Sequence, residues 1–177
     1  LEIWVRKGIV LDMMGRFDEA IHSYEHALTL RPHDANAWFN LGITLLNKSE
    51  FEEAVKAFDQ VLDLDPSRYD AWFREGLILE QFGEDREALS ALGTSLSLDP
   101  HQPEAWFHTA RCRRELGMHR EAVEACSRSL DAASPYDLVC MDIMMPVMSG
   151  LEALRAIREE ETRRGRPHPG GAKVIMT

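Results

Sequence analysis

The sequence predicts a mainly α-helical fold, a solenoid of helical hairpins that ends in a partial α/β unit of the βαβ type. The first observation is a set of four tryptophans spaced 34 residues apart, Trp4, Trp38, Trp72 and Trp106. The second is a change after residue 134, where this period disappears and short apolar runs begin. A fixed period of this length is typical of repeat architectures. The predicted units are four hairpin repeats, 1–34, 35–68, 69–102 and 103–134, and a βαβ unit, 135–177.

Composition narrows the class of protein. The chain has 177 residues, of which 45% are hydrophobic and 28% charged, as in folded domains. No apolar run reaches the ~20 residues that span a bilayer, and the first residues do not form a signal peptide, so we expect no membrane association. The three cysteines form no Cys-x-x-Cys pair, which favours a reducing, cytoplasmic location.

Charge is distributed unevenly along the chain. Residues 1–134 carry 24 acidic and 14 basic side chains within a formal net charge of −10. An acidic array repels phosphate backbones, so nucleic acid is a poor candidate partner. A basic protein segment suits the array better.

The period predicts how each hairpin packs. Small residues in the first helix let the second helix approach: Gly8, Gly42, Gly76 and Ala110. Large residues of the second helix fill the space between hairpins: Tyr24, Phe58 and Leu92. Gly15 and Gly83 are expected to supply left-handed turns, and Ser67 to cap the third hairpin. The fourth repeat looks eroded, with Cys126 at the large position and Ser129 where the first repeat has Ala27.

These positions resemble the tetratricopeptide repeat pattern over about three-quarters of the chain. The resemblance implies a concave groove lined by the first helices. The predicted groove residues are Val5, Arg6, Ile9, Phe39, Asn40, Ile43, Phe73, Arg74, Leu77, Phe107, His108 and Arg111. A peptide with apolar anchors fits such a groove. Some family members bind a terminal carboxylate through Lys and Asn, but Val5, Ile9, Phe39 and Ile43 disfavour that mode here. Alternatively, the phenylalanines are packing residues and the array is a spacer.

The first repeat begins in register at residue 1, without a polar capping helix before it. We therefore expect further repeats upstream in a longer parent protein. The eroded fourth repeat would mark the other end of the array.

The segment after residue 134 has a different pattern. Residues 136–141 form an apolar run typical of a buried strand, residues 150–164 an amphipathic helix, and residues 172–176 a second strand. This order is one βαβ unit. Residues 117–134 would serve both as the last repeat helix and as the helix before the first of these strands, which suggests a chimera joined inside a shared helix. A natural protein whose α/β domain is completed by another chain is the competing idea.

Residues 142–150, Asp-Ile-Met-Met-Pro-Val-Met-Ser-Gly, resemble the phosphoacceptor strand end of response-regulator receiver domains. The resemblance implies that Asp142 accepts a phosphoryl group from a histidine kinase, with Thr177 and the Met144 backbone beside it. Asp142 would also be part of a Mg²⁺ site. The family's acidic pair, its first and fifth strands and its phosphate-contacting Lys are absent, and Ser149 replaces the usual Asp or Asn. Two strands with open edges would favour self-association.

The sequence therefore leaves two functional hypotheses. The first is a non-enzymatic scaffold that binds a protein or peptide and needs no cofactor. The alternative is a two-component signalling protein in which phosphorylation of Asp142 alters the repeats, with Mg²⁺ bound only if the receiver site is completed. A further string, His22-x-x-Glu25-His26, matches a zinc-protease motif. Because Tyr24 and Ala27 occupy packing positions, we expect both histidines to face solvent, and we reject a metalloprotease.

Overall fold

The structure, a computed structural model, describes residues 2–132, and these form eight α-helices. The helices are α1 Glu2–Met13, α2 Phe17–Leu30, α3 Ala35–Asn47, α4 Phe51–Leu64, α5 Tyr69–Gln81, α6 Asp85–Leu98, α7 Pro103–Glu115 and α8 His119–Ala132. By internal contacts the chain divides into two compact units, Leu1–Pro100 and His101–Thr177. The predicted strands, the helix over 150–164 and the boundary at residue 134 lie outside the described residues or are not tested by them.

The first unit contains three hairpins, α1/α2, α3/α4 and α5/α6, whose helices pack in pairs. The second helix of one hairpin also packs against the first helix of the next, α2 on α3 and α4 on α5. One hairpin cannot cover its own apolar face, so the core lies along these stacking contacts. The predicted large residues Tyr24, Phe58 and Leu92 are all fully buried. The predicted helical-repeat fold is confirmed.

Each glycine of a first helix lies directly against the large side chain of its own hairpin. A Cβ atom added to Gly8 would stand 2.6 Å from the Tyr24 ring, and one added to Gly42 would stand 2.9 Å from the Phe58 ring. At Gly76 the same atom would stand 2.8 Å from Cγ of Leu92. Real Cβ atoms do not approach this closely. The prediction of close helix approach is confirmed, and the large residues fill space within a hairpin as well as between hairpins.

The turns inside the hairpins share one conformation. Gly15, Gly83 and Gly117 adopt φ values of 71°, 76° and 73°. The second hairpin has Ser49 at the same place with φ of 65°, which is strained for a residue with a Cβ atom. The predicted glycine turns at positions 15 and 83 are confirmed. Ser49 adopts the same positive φ as the glycines because the fold of the hairpin, rather than the local sequence, determines the backbone conformation of this turn.

The helix starts differ from one repeat to another. Asp34 caps α3 by accepting bonds from the backbone N–H groups of Asn36 and Ala37 at 3.1 Å. The prediction that Ser67 caps the third hairpin is wrong. The Asp65 carboxylate accepts bonds from both the N–H and the hydroxyl of Ser67, which holds this side chain toward the preceding turn. Arg68 therefore stands at the N-cap of α5 and makes no capping bond through its side chain.

Two tryptophans fix the inter-hairpin loops. The indole N–H of Trp38 donates to the Pro32 carbonyl at 2.8 Å, and that of Trp72 donates to the Pro66 carbonyl at 3.0 Å. The spacing of Pro and Trp that recurs in the repeats therefore allows a hydrogen bond in each of these two loops, which the 34-residue period alone did not reveal. In each case the bond spans the loop between one hairpin and the next.

The second unit, as far as it is described, is one hairpin in which α7 packs against α8. Its Ser129 is buried, and its hydroxyl donates to the Pro103 carbonyl at 2.8 Å. In the first unit Ser95 makes the same bond to the Tyr69 carbonyl, also at 2.8 Å. The interpretation of Ser129 as erosion is therefore wrong. The serine ties the end of the second helix to the start of the first.

Substituting Gly42 with Ala tests the close approach in the second hairpin. We expect the free energy of unfolding to fall by about 1–3 kcal/mol, because the new methyl group would overlap the buried Phe58 ring. The matched control is Gly93→Ala in α6, where a Cβ atom meets nothing within 4 Å. The control should gain about 0.5–1 kcal/mol from helix propensity alone. Urea unfolding followed by circular dichroism measures both, and equal effects at the two sites would contradict this packing.

Candidate binding surface

The predicted groove residues of the first unit form a half-exposed stripe along its first helices. In α3 the buried side of the helix contains Ala37, Leu41 and Leu45, whereas Phe39 and Asn40 are half-buried. The equivalent residues of α5, one repeat later, are Phe73, Arg74 and Leu77, and all three are half-buried. In α1 the residues at these positions are Val5, Arg6 and Ile9. This stripe, named here the first-helix stripe, is apolar with interspersed polar heads.

Phe39 makes two contacts with residues outside the stripe. Its ring packs edge-on against Phe58 with ring centres 5.7 Å apart. The guanidinium of Arg68 lies 4.7 Å from the centre of the same ring, a cation–π arrangement. Phe39 therefore contributes to packing, which supports part of the spacer alternative for this one residue.

Arg68 is a residue that the sequence interpretation missed. Its guanidinium makes two bonds of 2.8 Å to the Asp70 carboxylate and a third of 3.0 Å to the Asn36 side chain. It thus joins the second and third repeats while covering Phe39. The signal available in the sequence was its place as the last residue of a repeat, directly before a first helix. That position alone does not reveal a partner 32 residues away.

Arg74 brings a polar group to the stripe, and the adjacent Glu75 stands at the position that Leu41 occupies on the buried side of α3. The guanidinium of Arg74 lies 5.7 Å from the centre of the Phe73 ring. Within residues 2–132, its Nε atom is buried and has no hydrogen-bond partner, and the same is true of Oε2 of Glu75. Burial, assisted by the nearby Asp59 carboxylate, raises the pKa of Glu75. A buried donor without a partner is energetically costly, which sets Arg74 apart from the other polar residues of the stripe.

The remaining predicted groove residues, Arg6 and three residues of the fourth repeat, lie on α1 and α7. Arg6 is exposed and forms an ion pair with Glu2 one turn earlier. Phe107, His108 and Arg111 belong to α7 in the second unit, where they are half-buried and the Phe107 and His108 rings meet edge-on at 5.3 Å. Six of the nine principal predicted residues thus lie on the first helices α1, α3 and α5 of the first unit, and their role in binding stays a prediction. The other three lie on α7, in the second unit.

The rejected zinc motif has an ordinary structural explanation. His26 is stacked on Trp4 with ring centres 4.1 Å apart, and Nδ1 of His22 lies 3.1 Å from the Asp18 carbonyl. Among residues 2–132, no group of three or more His, Cys, Asp or Glu side chains is arranged to hold a metal ion. The predicted phosphoacceptor residues Asp142, Thr177 and Met144, with the partial Mg²⁺ site, lie outside the described residues.

Two further observations concern membrane-spanning helices and the cysteines. In the described part, no helix is both long enough and apolar enough to cross a bilayer. The cysteines of that part, Cys112 and Cys126, are unbonded to each other, and burial raises the pKa of Cys126 to about 11. A thiol with so high a pKa is a poor nucleophile.

Antiparallel helix pairs that recur every 34 residues define a class, the helical-repeat proteins. Two family models described as tetratricopeptide repeat match the chain, one over residues 13–74 and one over residues 85–137. The chain belongs to the tetratricopeptide repeat family, and as such it is a protein–protein interaction scaffold of a generally non-enzymatic kind.

Solved structures give the same fold. A crystal structure of MamA is 24% identical, with a TM-score of 0.71, over 74% of this chain and 77% of that one. MamA 41-end from Desulfovibrio magneticus RS-1 is 18% identical, with a TM-score of 0.71, over 93% of this chain and 85% of that one. At these identities the likeness shows the fold alone.

One curated relative, a response regulator, matches a short stretch of the chain. The two-component response regulator ORR41 of Oryza sativa subsp. japonica is 68% identical over 31 residues, which are 18% of this chain. The matched stretch spans about a quarter of that relative, 24% of its length.

Replacing Arg68 with Ala tests the junction between the second and third repeats. We expect the free energy of unfolding to fall by about 1–2 kcal/mol, because the substitution removes a half-buried bidentate ion pair and uncovers Phe39. Arg86→Ala, at an exposed position of α6, is the matched control and should change stability by less than about 0.5 kcal/mol. Thermal unfolding of both variants measures the difference. An Arg68 variant as stable as the control would mean that these contacts contribute nothing.

Proposed function

We propose that this scaffold binds a peptide segment of a partner protein along the first-helix stripe. The observation that carries the proposal is the pairing of half-exposed apolar side chains with one buried donor, Nε of Arg74, that no described residue satisfies. The other faces of these helices are occupied by hairpin and stacking contacts in α3 and α5. The stripe is therefore the face of those helices that remains for a ligand.

The chemistry of the stripe defines the kind of peptide. Phe73 and Leu77 favour apolar anchors, spaced to follow neighbouring helices. Arg74 favours an acceptor, either a carboxylate or a main-chain carbonyl, because its planar guanidinium donates in a fixed direction. The formal charge of −10 on the whole chain opposes a strongly acidic ligand. We therefore expect an apolar peptide with a single acceptor facing Arg74, and neutral or basic residues elsewhere.

A displayed library of random dodecapeptides, selected on the purified protein, tests this proposal. Enriched peptides should carry apolar anchors, and fluorescence anisotropy then gives their dissociation constants. Arg74→Met should weaken binding at least tenfold, or about 1.4 kcal/mol, because the acceptor loses its donor while the side chain keeps its length.

Arg86→Met on α6 is the matched control and should leave the dissociation constant unchanged. Circular dichroism checks that both variants remain folded. Peptides that bind the Arg74 variant as tightly as the wild type would show that another surface is used. A library that yields no specific peptide would favour the spacer hypothesis.

A second candidate function rests on residues 142–150 and on the short match to a response regulator. In this hypothesis a carboxylate oxygen of Asp142 attacks the phosphorus of a phosphoryl donor, and the bond from phosphorus to the donor breaks as the acyl phosphate forms. The new charge would then alter the repeats through the helix that precedes residue 134. The scaffold function needs only groups within residues 1–177, whereas this one also needs an acidic pair and a phosphate-contacting Lys that are not identified within those residues.

Intact mass spectrometry after incubation with acetyl phosphate and Mg²⁺ tests the second candidate. Based on the missing groups, we expect no phosphoryl group to be gained. A gain that is absent from Asp142→Asn would overturn this expectation and support the signalling function. A gain that persists in Asp142→Asn would place the modification at another residue.

A further inference from the structure

A carboxylate occupies a core position at the junction between the second and third hairpins. In the 34-residue register, Glu75 of α5 corresponds to Leu41 of α3, which is 6% exposed and belongs to the hydrophobic core. The Asp59 carboxylate of α4 acts electrostatically on Glu75, which places Glu75 at the contact between α4 and α5. A residue type that is rarely buried therefore stands where the preceding repeat has a leucine.

The Glu75 carboxylate has little compensation for this position. Its Oε2 atom is buried and accepts no hydrogen bond from residues 2–132. The guanidinium of Arg74, the preceding residue, lies 5.7 Å from the centre of the Phe73 ring, and its buried Nε donates to no atom of the same residues. Burying an ionised carboxylate without a donor or a cation is unfavourable, and protonation removes most of that cost.

The charged groups that act on Glu75 and on its neighbour Asp59 are acidic. Asp59 acts on Glu75, and Asp63, one turn later on α4, acts on Asp59. Lys56 of α4 is exposed and does not contribute to the pKa shift of either carboxylate. The α4/α5 junction therefore brings together like charges, each of which opposes ionisation of the other.

The other charged residues of the helices around Glu75 lie at different levels. Those of α4 and α6 are in the first turn of each helix: Glu52, Glu53, Asp85, Arg86 and Glu87. Gly76, the residue after Glu75, instead lies against Leu92 in the middle of α6. No ionisable residue occurs in α3, the first helix of the second hairpin. Within α3, α4 and α6, no cation therefore offsets the acidic pair.

Burial, with Asp59 nearby, raises the pKa of Glu75, and burial, with Asp63 nearby, raises the pKa of Asp59. A raised pKa means that the folded chain holds the Glu75 proton more tightly than the unfolded chain does. The stabilisation from this proton is fully present below the ordinary glutamate pKa of 4.5 and is lost as pH rises through the folded value. The junction is therefore more stable in acid than at neutral pH.

The junction between the first and second hairpins lacks this acidic pair. Glu25 of α2 corresponds in register to Asp59, and Leu41 of α3 corresponds to Glu75, so one acid and one leucine occupy the two positions there. The contact of α2 with α3 is also more extensive than that of α4 with α5. Within the first unit, the acidic pair thus lies at the smaller of these two contacts between hairpins.

We propose that the α4/α5 junction is an acid-stabilised joint in the array. When Glu75 is protonated the second and third hairpins stack firmly, and when it is ionised opposite Asp59 the junction opens more readily. Phe39 and Phe73 of the first-helix stripe belong to the hairpins on the two sides of this joint, so its opening changes their spacing. The joint is a property of the free chain and does not depend on the proposed peptide binding.

Hydrogen–deuterium exchange of the full chain, read by mass spectrometry at about pH 5 and about pH 8, tests the proposal. After correction for the intrinsic effect of pH on exchange, peptides from α5 of the wild type should exchange about two- to fivefold faster at the higher pH, because local opening frees backbone amides. Glu75→Gln keeps the size of the side chain and removes its charge. This variant should exchange like the wild type at the lower pH and more slowly than the wild type at the higher pH.

Glu25→Gln is the matched control, because Glu25 holds the register position of Asp59 at the junction that has Leu41. This variant should keep the pH response of the wild type in α5. Glu75→Leu restores the residue of the preceding repeat and should protect α5 equally at both pH values, and circular dichroism checks that all variants stay folded. Wild-type α5 protection that is the same at both pH values would overturn the proposal. A pH response that survives in both Glu75 variants would equally reject it, since another group would then be responsible.

Discussion

The contact between a glycine of the first helix and a large side chain of the second determines the geometry of each hairpin in the first unit. Gly8, Gly42 and Gly76 leave no room for a methyl group, and Tyr24, Phe58 and Leu92 occupy that room. This brings the two helix backbones of the hairpin close together. A change at one such pair would alter both the hairpin and its stacking. The fourth repeat has Ala110 and Cys126 at these places, a larger residue facing a smaller one in the same register.

Hairpin and stacking contacts use two sides of α3 and α5, so a ligand of these helices would bind on the side that remains. That side is the first-helix stripe, and its composition varies between repeats. Phe39 packs against Arg68, whereas Nε of Arg74 is a buried donor without a partner among the described residues. The two repeats therefore differ along the stripe. In the proposed complex, Arg74 would be the polar group that distinguishes one ligand from another.

The sequence by itself determined the repeat length, the buried large residues and the glycine contacts, because these recur at fixed spacing and each needs only local geometry. It also placed six of the predicted groove residues on the first helices of the first unit, and their role in binding stays a prediction. Contacts between residues far apart in the sequence were decided by tertiary structure. Arg68 reaches Asn36 and Phe39 at the other end of its own repeat, and Ser129 bonds to a carbonyl 26 residues earlier. Ser67 failed as a cap because Arg68 stands at the N-cap of α5, while the Ser67 hydroxyl donates to Asp65 and so has a second partner in the preceding turn. A linear pattern cannot weigh such competing partners, because their distances exist only once the helices have packed.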